Sequence, residues 1–145
     1  MKDRHVEIRD YIAGEHNWHD YQAHERAVRN HKYLYIRNAF PKLNASPPAD
    51  AVGSITYQEM IKLYKAGKLN ENQLDCFVKP RLAEELFDVV NDPDQLRNLA
   101  SDPEYTNVLD EMRNLLDSWI VEYGDKIPEH PSPDTFDRWT GKRLN

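Results

Sequence analysis

The stretch from residue 102 to residue 124 constrains this chain more than any other. Apolar side chains recur there at Tyr105, Val108, Leu109, Met112, Leu115, Leu116, Trp119, Ile120 and Tyr123. Steps of three and four put them all on one face of an α-helix about five turns long. Both ends are marked. Asp102 is a capping residue, Pro103 suits the first helical position, and Glu104 sits in the first turn, where the helix dipole favours an acid. Gly124 supplies the stop. A helix with one apolar face must lay it on something, and Leu109, Met112, Leu116 and Trp119 are expected to do so here.

The segments before it supply the surface. Residues 6–14 read as a strand through Val6, Ile8, Tyr11 and Ile12. Residues 26–29 and 32–37 read as two strands joined across Asn30-His31, since Asn tolerates the positive φ of a tight hairpin. In the second of them Leu34 and Ile36 share one face, and Tyr33, Tyr35 and Arg37 the other. Residues 84–90 form a further strand, followed by a turn at Asn91-Asp92-Pro93-Asp94 and a short helical turn at 95–99. Between the strands, residues 39–53 are broken by Pro41, Pro47, Pro48 and Gly53. Ser54 then caps a helix to about Ala66, stopped by Gly67, and Asn70 caps a short helix through Leu74 and Phe77, ended by Pro80. The expected class is α+β: a small antiparallel sheet packed against the long C-terminal helix, with an inserted helical excursion. Beyond Gly124, three prolines make an extended tail that Phe136, Trp139 and Leu144 can pin down.

Composition limits what such a fold can do. The 145 residues make room for one ordinary domain, and the net charge of −6 excludes a protein held on nucleic acid or anionic lipid by bulk charge. No apolar run reaches the ~18 residues of a membrane span. Residues 1–7 lack the apolar centre of a secretory leader, so the chain as written is not expected to be exported. The single cysteine, Cys76, excludes a disulfide framework and a multi-cysteine zinc site. Only 32 residues are Leu, Ile, Val or Phe, about 22% of the chain and barely above the ~20% that marks disorder-prone sequences. The core is therefore thin, and part of the surface is expected to meet a partner.

Residues 15–25 concentrate chemistry: Glu15, His16, Asn17, Trp18, His19, Asp20, Tyr21, His24 and Glu25. They read as a loop. His16, His19, Asp20 and His24 offer a metal-ligand set of imidazoles and a carboxylate, but the histidine spacing of three and five residues lacks the shared helical face that gives such motifs force. The alternatives are solvated histidines and a polar wall that binds an oxygen-rich ligand through imidazole, amide and indole groups. His16, Asn17 and His19 are the candidate substrate-binding residues, and neither a catalytic residue nor a metal ligand is assigned. Arg26, Arg29, Lys32 and Arg37 form a basic strip that reads first as a salt-bridged strand face and second as an anion trap. Cys76 follows Asp75 and has no neighbouring base, so it reads as structural. Glu84-Glu85 and Asp110-Glu111 read as surface, not as an acid–base pair.

Three stretches together carry a resemblance. The first is Glu15-His16 followed by Arg26-Ala27-Val28-Arg29 and Tyr33-Leu34-Tyr35-Ile36-Arg37. The second is Glu85-Leu86-Phe87-Asp88 with Asn91-Asp92-Pro93 and Asn98-Leu99-Ala100, and the third is Asp102-Pro103-Glu104-Tyr105 running into the long helix. Their order resembles the C-terminal part of the sulfatase family. The inserted helices between Ser54 and Phe77 and the loop from Glu15 to Tyr21 look most like the branch containing heparan N-sulfatase, or sulfamidase.

The resemblance implies that residues 1–25 end a catalytic domain with its last strand and pocket loop, residues 26–124 are the C-terminal subdomain, and residues 125–145 are the tail. It implies a hydrolase of sulfate esters or sulfamates whose formylglycine and calcium belong to a larger N-terminal domain. Cys76, followed by Phe77 and Val78, does not match the formylglycine motif, so no cofactor is expected in these residues and the chain alone is expected to be inactive. Implied partners are that N-terminal catalytic domain, or self-association through the exposed docking face, and a sulfated small molecule or glycan; nucleic acid and membrane are not among them. Family members are often periplasmic, secreted or lysosomal. Two other readings stand beside this one: a non-catalytic binding or interaction module derived from a sulfatase, and a small His-rich metal-binding protein.

Overall fold

Asn30 sets the first turn. Its side-chain carbonyl accepts from the backbone N–H groups of Lys32 (2.9 Å) and Tyr33 (2.7 Å), while its own N–H reaches the Tyr33 carbonyl (3.0 Å). The strands it joins are β2 (Glu25–Arg29) and β3 (Tyr33–Asn38). In the computed structural model, which describes residues 9–77 and 79–145, β1 (Ile12–His16) and β4 (Glu84–Asp88) complete a four-stranded sheet in the order β1-β2-β3-β4. β3 and β4 are antiparallel, with Tyr33 opposite Asp88 and Arg37 opposite Glu84. The first strand thus lies later than its apolar pattern suggests and takes in Glu15 and His16, which read as loop; Val6 and Ile8 fall outside the described residues. All five residues of β1 are exposed at the sheet edge, so no burial pattern announces them.

The described chain forms two compact units, interleaved along the sequence: residues 9–15, 26–37 and 84–126 in the first, and residues 16–25, 38–83 and 127–145 in the second. The core of the first unit is Val28, Tyr35, Leu86, Leu99, Leu109, Met112 and Leu116. Its helix, α4 (Thr106–Tyr123), is entered through a 3-10 turn at Pro103–Tyr105. Asp102 caps that turn by accepting from Glu104 N–H (3.1 Å). Gly124, at φ 64°, closes the far end as a left-handed cap. Leu109, Met112 and Leu116 are buried as the periodicity requires, whereas Trp119 is half-buried against the rim of this core and leans on Tyr123. On β3 the face that meets α4 is that of Tyr33, Tyr35 and Arg37, so the core is built on a tyrosine and not on Leu34 or Ile36.

A buried tyrosine needs a partner for its hydroxyl. Tyr35 donates to Glu84, and Arg37 Nε donates to the same hydroxyl oxygen at 3.1 Å. Arg113 on α4 grips Glu84 through Nε (2.9 Å) and Nη2 (2.5 Å), and Arg37 reaches Asp117 (2.6 Å). Arg26, almost fully buried, makes a fork on Asp125 with two bonds of 2.8 Å. Of the basic strip, then, Arg26 and Arg37 are committed to carboxylates, and Lys32 lies 3.7 Å from Asp88. Asn98 does comparable work at the sheet edge. Its carbonyl accepts from Leu86 N–H and Ala100 N–H (2.9 Å each), and its amide donates to the Glu84 carbonyl. The helical turn expected at 95–99 is absent, because Gln95 takes a left-handed φ of 55° and Asp92 ties the turn by accepting from Arg97 N–H.

The second unit contains α1 (Ala49–Val52), α2 (Ile55–Lys65) and α3 (Glu71–Leu74), the last running into a 3-10 turn at Asp75–Phe77. The expected caps are present: Ser54 accepts from Tyr57 N–H, and Asn70 and Gln73 form a reciprocal capping box. Two clusters hold it. Tyr21, Ala49 and Val52 pack with Tyr57 and Phe136, while Tyr64, Phe77 and Trp139 stack with centroids 4.5 to 6.0 Å apart. Trp139 and Phe136 come from the stretch expected as an extended tail, where residues 134–144 form a hook. Phe136 bridges Arg143, Leu144 N–H bonds the Thr135 carbonyl (2.8 Å), and one Asp137 carboxylate oxygen collects Trp139 N–H, Thr140 N–H and the Thr140 hydroxyl. Gly141, at φ 65°, turns the hook against α1 so closely that a Cβ there would lie 2.5 Å from the Ala49 carbonyl oxygen.

Two outcomes follow for stability. The hydrogen bond and charge of Arg113, aided by Tyr35, hold the Glu84 carboxyl down at about 2, from an ordinary 4.5. A depressed carboxyl stabilises the fold fully above 4.5, and that share is lost as pH falls from 4.5 toward about 2. Urea denaturation across that window is expected to show stability falling with acid, and Glu84→Gln is expected to flatten the slope. Gly141 and Gly67 share a φ of 65°, but nothing surrounds Gly67. Gly67→Ala is expected to cost about 1–2 kcal/mol, for the left-handed backbone alone. Gly141→Ala is expected to cost more, by the clash with Ala49; equal losses in urea denaturation would remove the close approach from the account.

Candidate functional site

The second unit holds a pocket of about 270 Å³. Its wall begins with residues 16–25, which run along the tail hook and are fastened to it at several points. Trp18 Nε1 donates to the Pro133 carbonyl (2.8 Å), Thr135 N–H to the Asp20 carbonyl (2.9 Å), and Gln22 N–H to Asp134 Oδ1 (2.7 Å). Asp20 also takes Ala49 N–H at the start of α1 (2.8 Å). Arg138 completes the fastening. Its Nε and Nη2 fork onto Asp134 (2.6 and 2.8 Å), Nη2 also reaches the Gln22 carbonyl (2.8 Å), and Nη1 bonds the Asn44 carbonyl. Its guanidinium lies 4.9 Å from the Tyr21 ring. Burial pushes the Asp134 carboxyl up, but Arg138 and Gln22 N–H outweigh it and leave it below the usual range.

The other wall is set by the end of β3. Buried Asn38 donates its backbone N–H to the Ala83 carbonyl (2.9 Å) and accepts from Phe40 N–H (2.9 Å). Arg81 N–H bonds the Pro41 carbonyl (2.7 Å). The Arg81 side chain is thereby placed against Glu25, with Nη1 on Oε1, while the other carboxylate oxygen of Glu25 lies 3.2 Å from His16 Nδ1. Burial works to raise the Glu25 carboxyl, but Arg81 and then His16 outweigh it and hold it below the ordinary value.

Of the candidate residues, His16 and His19 line this pocket, and Asn17 is not among the residues lining it. His16 closes β1; His19 is strongly exposed, with Nδ1 3.3 Å from Asp20. His24 is buried and meets Phe40 edge-on. Among the described residues no three His, Cys, Asp or Glu side chains gather closely enough to hold a metal ion, and the calcium that the resemblance implies has no fitting donor set among them. Burial and then Asp75 push the Cys76 thiol up, the reverse of what a nucleophile needs. No described helix is long and apolar enough to cross a membrane.

Glu25 stood out only as one member of a polar run, and Arg81, Asn38 and Arg138 not at all. Arg81 lies 56 residues from the carboxylate it pairs with, and Arg138 lies 116 from the Gln22 carbonyl. No local pattern signals a contact at that separation.

Comparison with known proteins adds the following. No family model matches the chain. A curated "ulvan-active sulfatase" of Formosa agariphila is 45% identical over 107 residues, which are 72% of this chain and 18% of that protein. A "Delta 4,5-hexuronate-2-O-sulfatase" of Bacteroides thetaiotaomicron is 48% identical over 42 residues, 29% of this chain and 9% of that one. Among solved structures, a "2-O GAG sulfatase" superposes with a TM-score of 0.53 at 19% identity, over 99% of this chain and 24% of the other, a likeness of fold. The chain thus spans less than a quarter of the length of these proteins. Its homologues and structural neighbours are sulfatases, and what this chain matches is one part of a sulfatase.

Proposed function

We propose that these residues are the C-terminal part of a sulfatase-like hydrolase, supplying one wall of its substrate pocket and structural support, but not the nucleophile. The observation that carries this is the pocket itself. A chain related to sulfatases places His16, His19, Arg81 and Asp20 around a concave space large enough for a sugar residue. Those groups suit an oxygen-rich ligand. The relatives named for a hexuronate-2-O-sulfate and for a 2-O GAG favour a sulfate ester on an acidic glycan as the substrate. A sulfamate, as in the heparan N-sulfatase branch, is the narrower alternative, supported by the inserted helices and the loop through Tyr21. The partner is the larger catalytic part of the same enzyme, and the exposed side chains of Ile12, Val121 and Tyr123 in the first unit support a docking role.

Two measurements test this. The 145-residue chain, given an aryl sulfate, is expected to show no turnover above the buffer rate; turnover lost on substitution of one of its residues would overturn the division of roles. In the enzyme that carries this segment together with a formylglycine domain, His16→Ala is expected to lower kcat/KM at least about tenfold, or ~1.4 kcal/mol, with an unchanged melting temperature. Wild-type kinetics in that variant would make His16 a solvated surface group. Hydrolysis of a glycan N-sulfate in preference to the 2-O-sulfate would move the substrate to the sulfamidase side.

A further inference from the structure

The interaction between His16 and Glu25 decides more than the position of a ring. Glu25 is mostly buried, and both its oxygens are engaged: Oε1 by Arg81 Nη1, and Oε2 by His16 Nδ1 at 3.2 Å. Arg81 is itself tied down through its backbone N–H on Pro41. The carboxylate therefore cannot swing away from the imidazole without breaking an ion pair. An ionised carboxylate has no proton to offer, so the hydrogen between Oε2 and Nδ1 must belong to the imidazole. In a neutral histidine this leaves Nε2 with a bare lone pair, since the hydrogen bond made by one ring nitrogen sets the state of the other. His16 remains largely open to solvent, lines the pocket, and has no partner for Nε2 among the described residues.

Resting on the substrate-pocket reading above, we propose that Glu25 is a positioning residue that holds His16 in the Nδ1–H tautomer, so that bare Nε2 accepts a hydrogen bond from a sugar hydroxyl. The consequence is a division of labour in the pocket. A sulfate oxygen is only an acceptor and gains nothing from a lone pair, so neutral His16 reads the hydroxyl groups of the glycan and not its sulfate. Arg81 plays the opposite part as a pure donor, and Glu25 holds the two side by side.

The tautomer is directly observable. In the 15N-labelled 145-residue chain at pH 8, long-range 1H–15N correlation is expected to show a protonated Nδ1 and an unprotonated Nε2 for His16. The reverse pattern in the wild-type chain would overturn the proposal, and this needs no variant that must fold. Glu25→Ala is expected to move the ring to the Nε2–H form; a ring still in the Nδ1–H form would show that Glu25 does not set it. In the enzyme that carries this segment together with a formylglycine domain, adding a sulfated hexuronate oligosaccharide is expected to shift the His16 Nε2 resonance and leave Nδ1 in place. If the oligosaccharide binds and Nε2 does not respond, the hydroxyl contact falls while the positioning role of Glu25 stands; if none of His16, His19, Arg81 and Asp20 responds, the substrate-pocket reading falls.

Discussion

Arg138 holds together segments that apolar contact alone would not hold. Its guanidinium binds the Asp134 carboxylate, the Gln22 carbonyl and the Asn44 carbonyl, with the Tyr21 ring 4.9 Å away. Those partners sit on the pocket loop, which is polar and aromatic, and on the irregular excursion and the tail, which are rich in proline; all three are poor in Leu, Ile and Val. Such segments present backbone carbonyls that need donors when water is removed. A rigid planar cation with five N–H groups can serve several at once, which a lysine cannot do with the same geometry. The pocket wall exists in its described form because this side chain satisfies it.

The same physics recurs in the first unit. With so few aliphatic residues, the sheet packs on a helix through Tyr35, whose hydroxyl would be costly to bury alone. Glu84, Arg113 and Arg37 meet that need and, in doing so, fix the position of the helix along β4. Arg26 and Asp125 do likewise beyond the helix end. Directional bonds of this kind tolerate substitution poorly. Removing one partner leaves a buried charge unpaired, which costs about 3–5 kcal/mol in comparable sites. A fold with a thin core therefore obtains its specificity from charged side chains, each held at more than one atom.

The residues that betray kinship and the residues that line the pocket are different sets. Leu86, Asp88 and Asn98, from the second of the stretches that carry the resemblance, organise a strand edge and a turn: Asn98 accepts from Leu86 N–H, and Asp88 accepts from Val90 and Asn91 N–H. Asp102 caps the turn that leads into the helix. These are demands of the backbone. The pocket is lined by His16, Glu25, Arg81 and their neighbours.

The long helix, its cap and stop, the Asn30 hairpin, the helix capped by Ser54 and the short one capped by Asn70 were all legible in the sequence. Each rests on periodicity or on a side chain bonding to backbone within four residues, and such interactions do not depend on the rest of the chain. The α+β class followed from their order. Legibility ended where the partner was distant or the burial pattern blank. β1 is exposed along its whole length and so carries no alternation to read. Gln95 breaks an expected helical turn through a backbone angle that propensity does not forbid. The histidine-rich run did not say which of its members faces the pocket: His16 and His19 line it, His24 is buried against Phe40, and Asn17 is not in the lining. Arg81 and Arg138 reach the loop from 56 and 116 residues away. Only tertiary folding could bring them there, because a contact between distant segments is set by how the whole chain packs and leaves no trace in either segment alone.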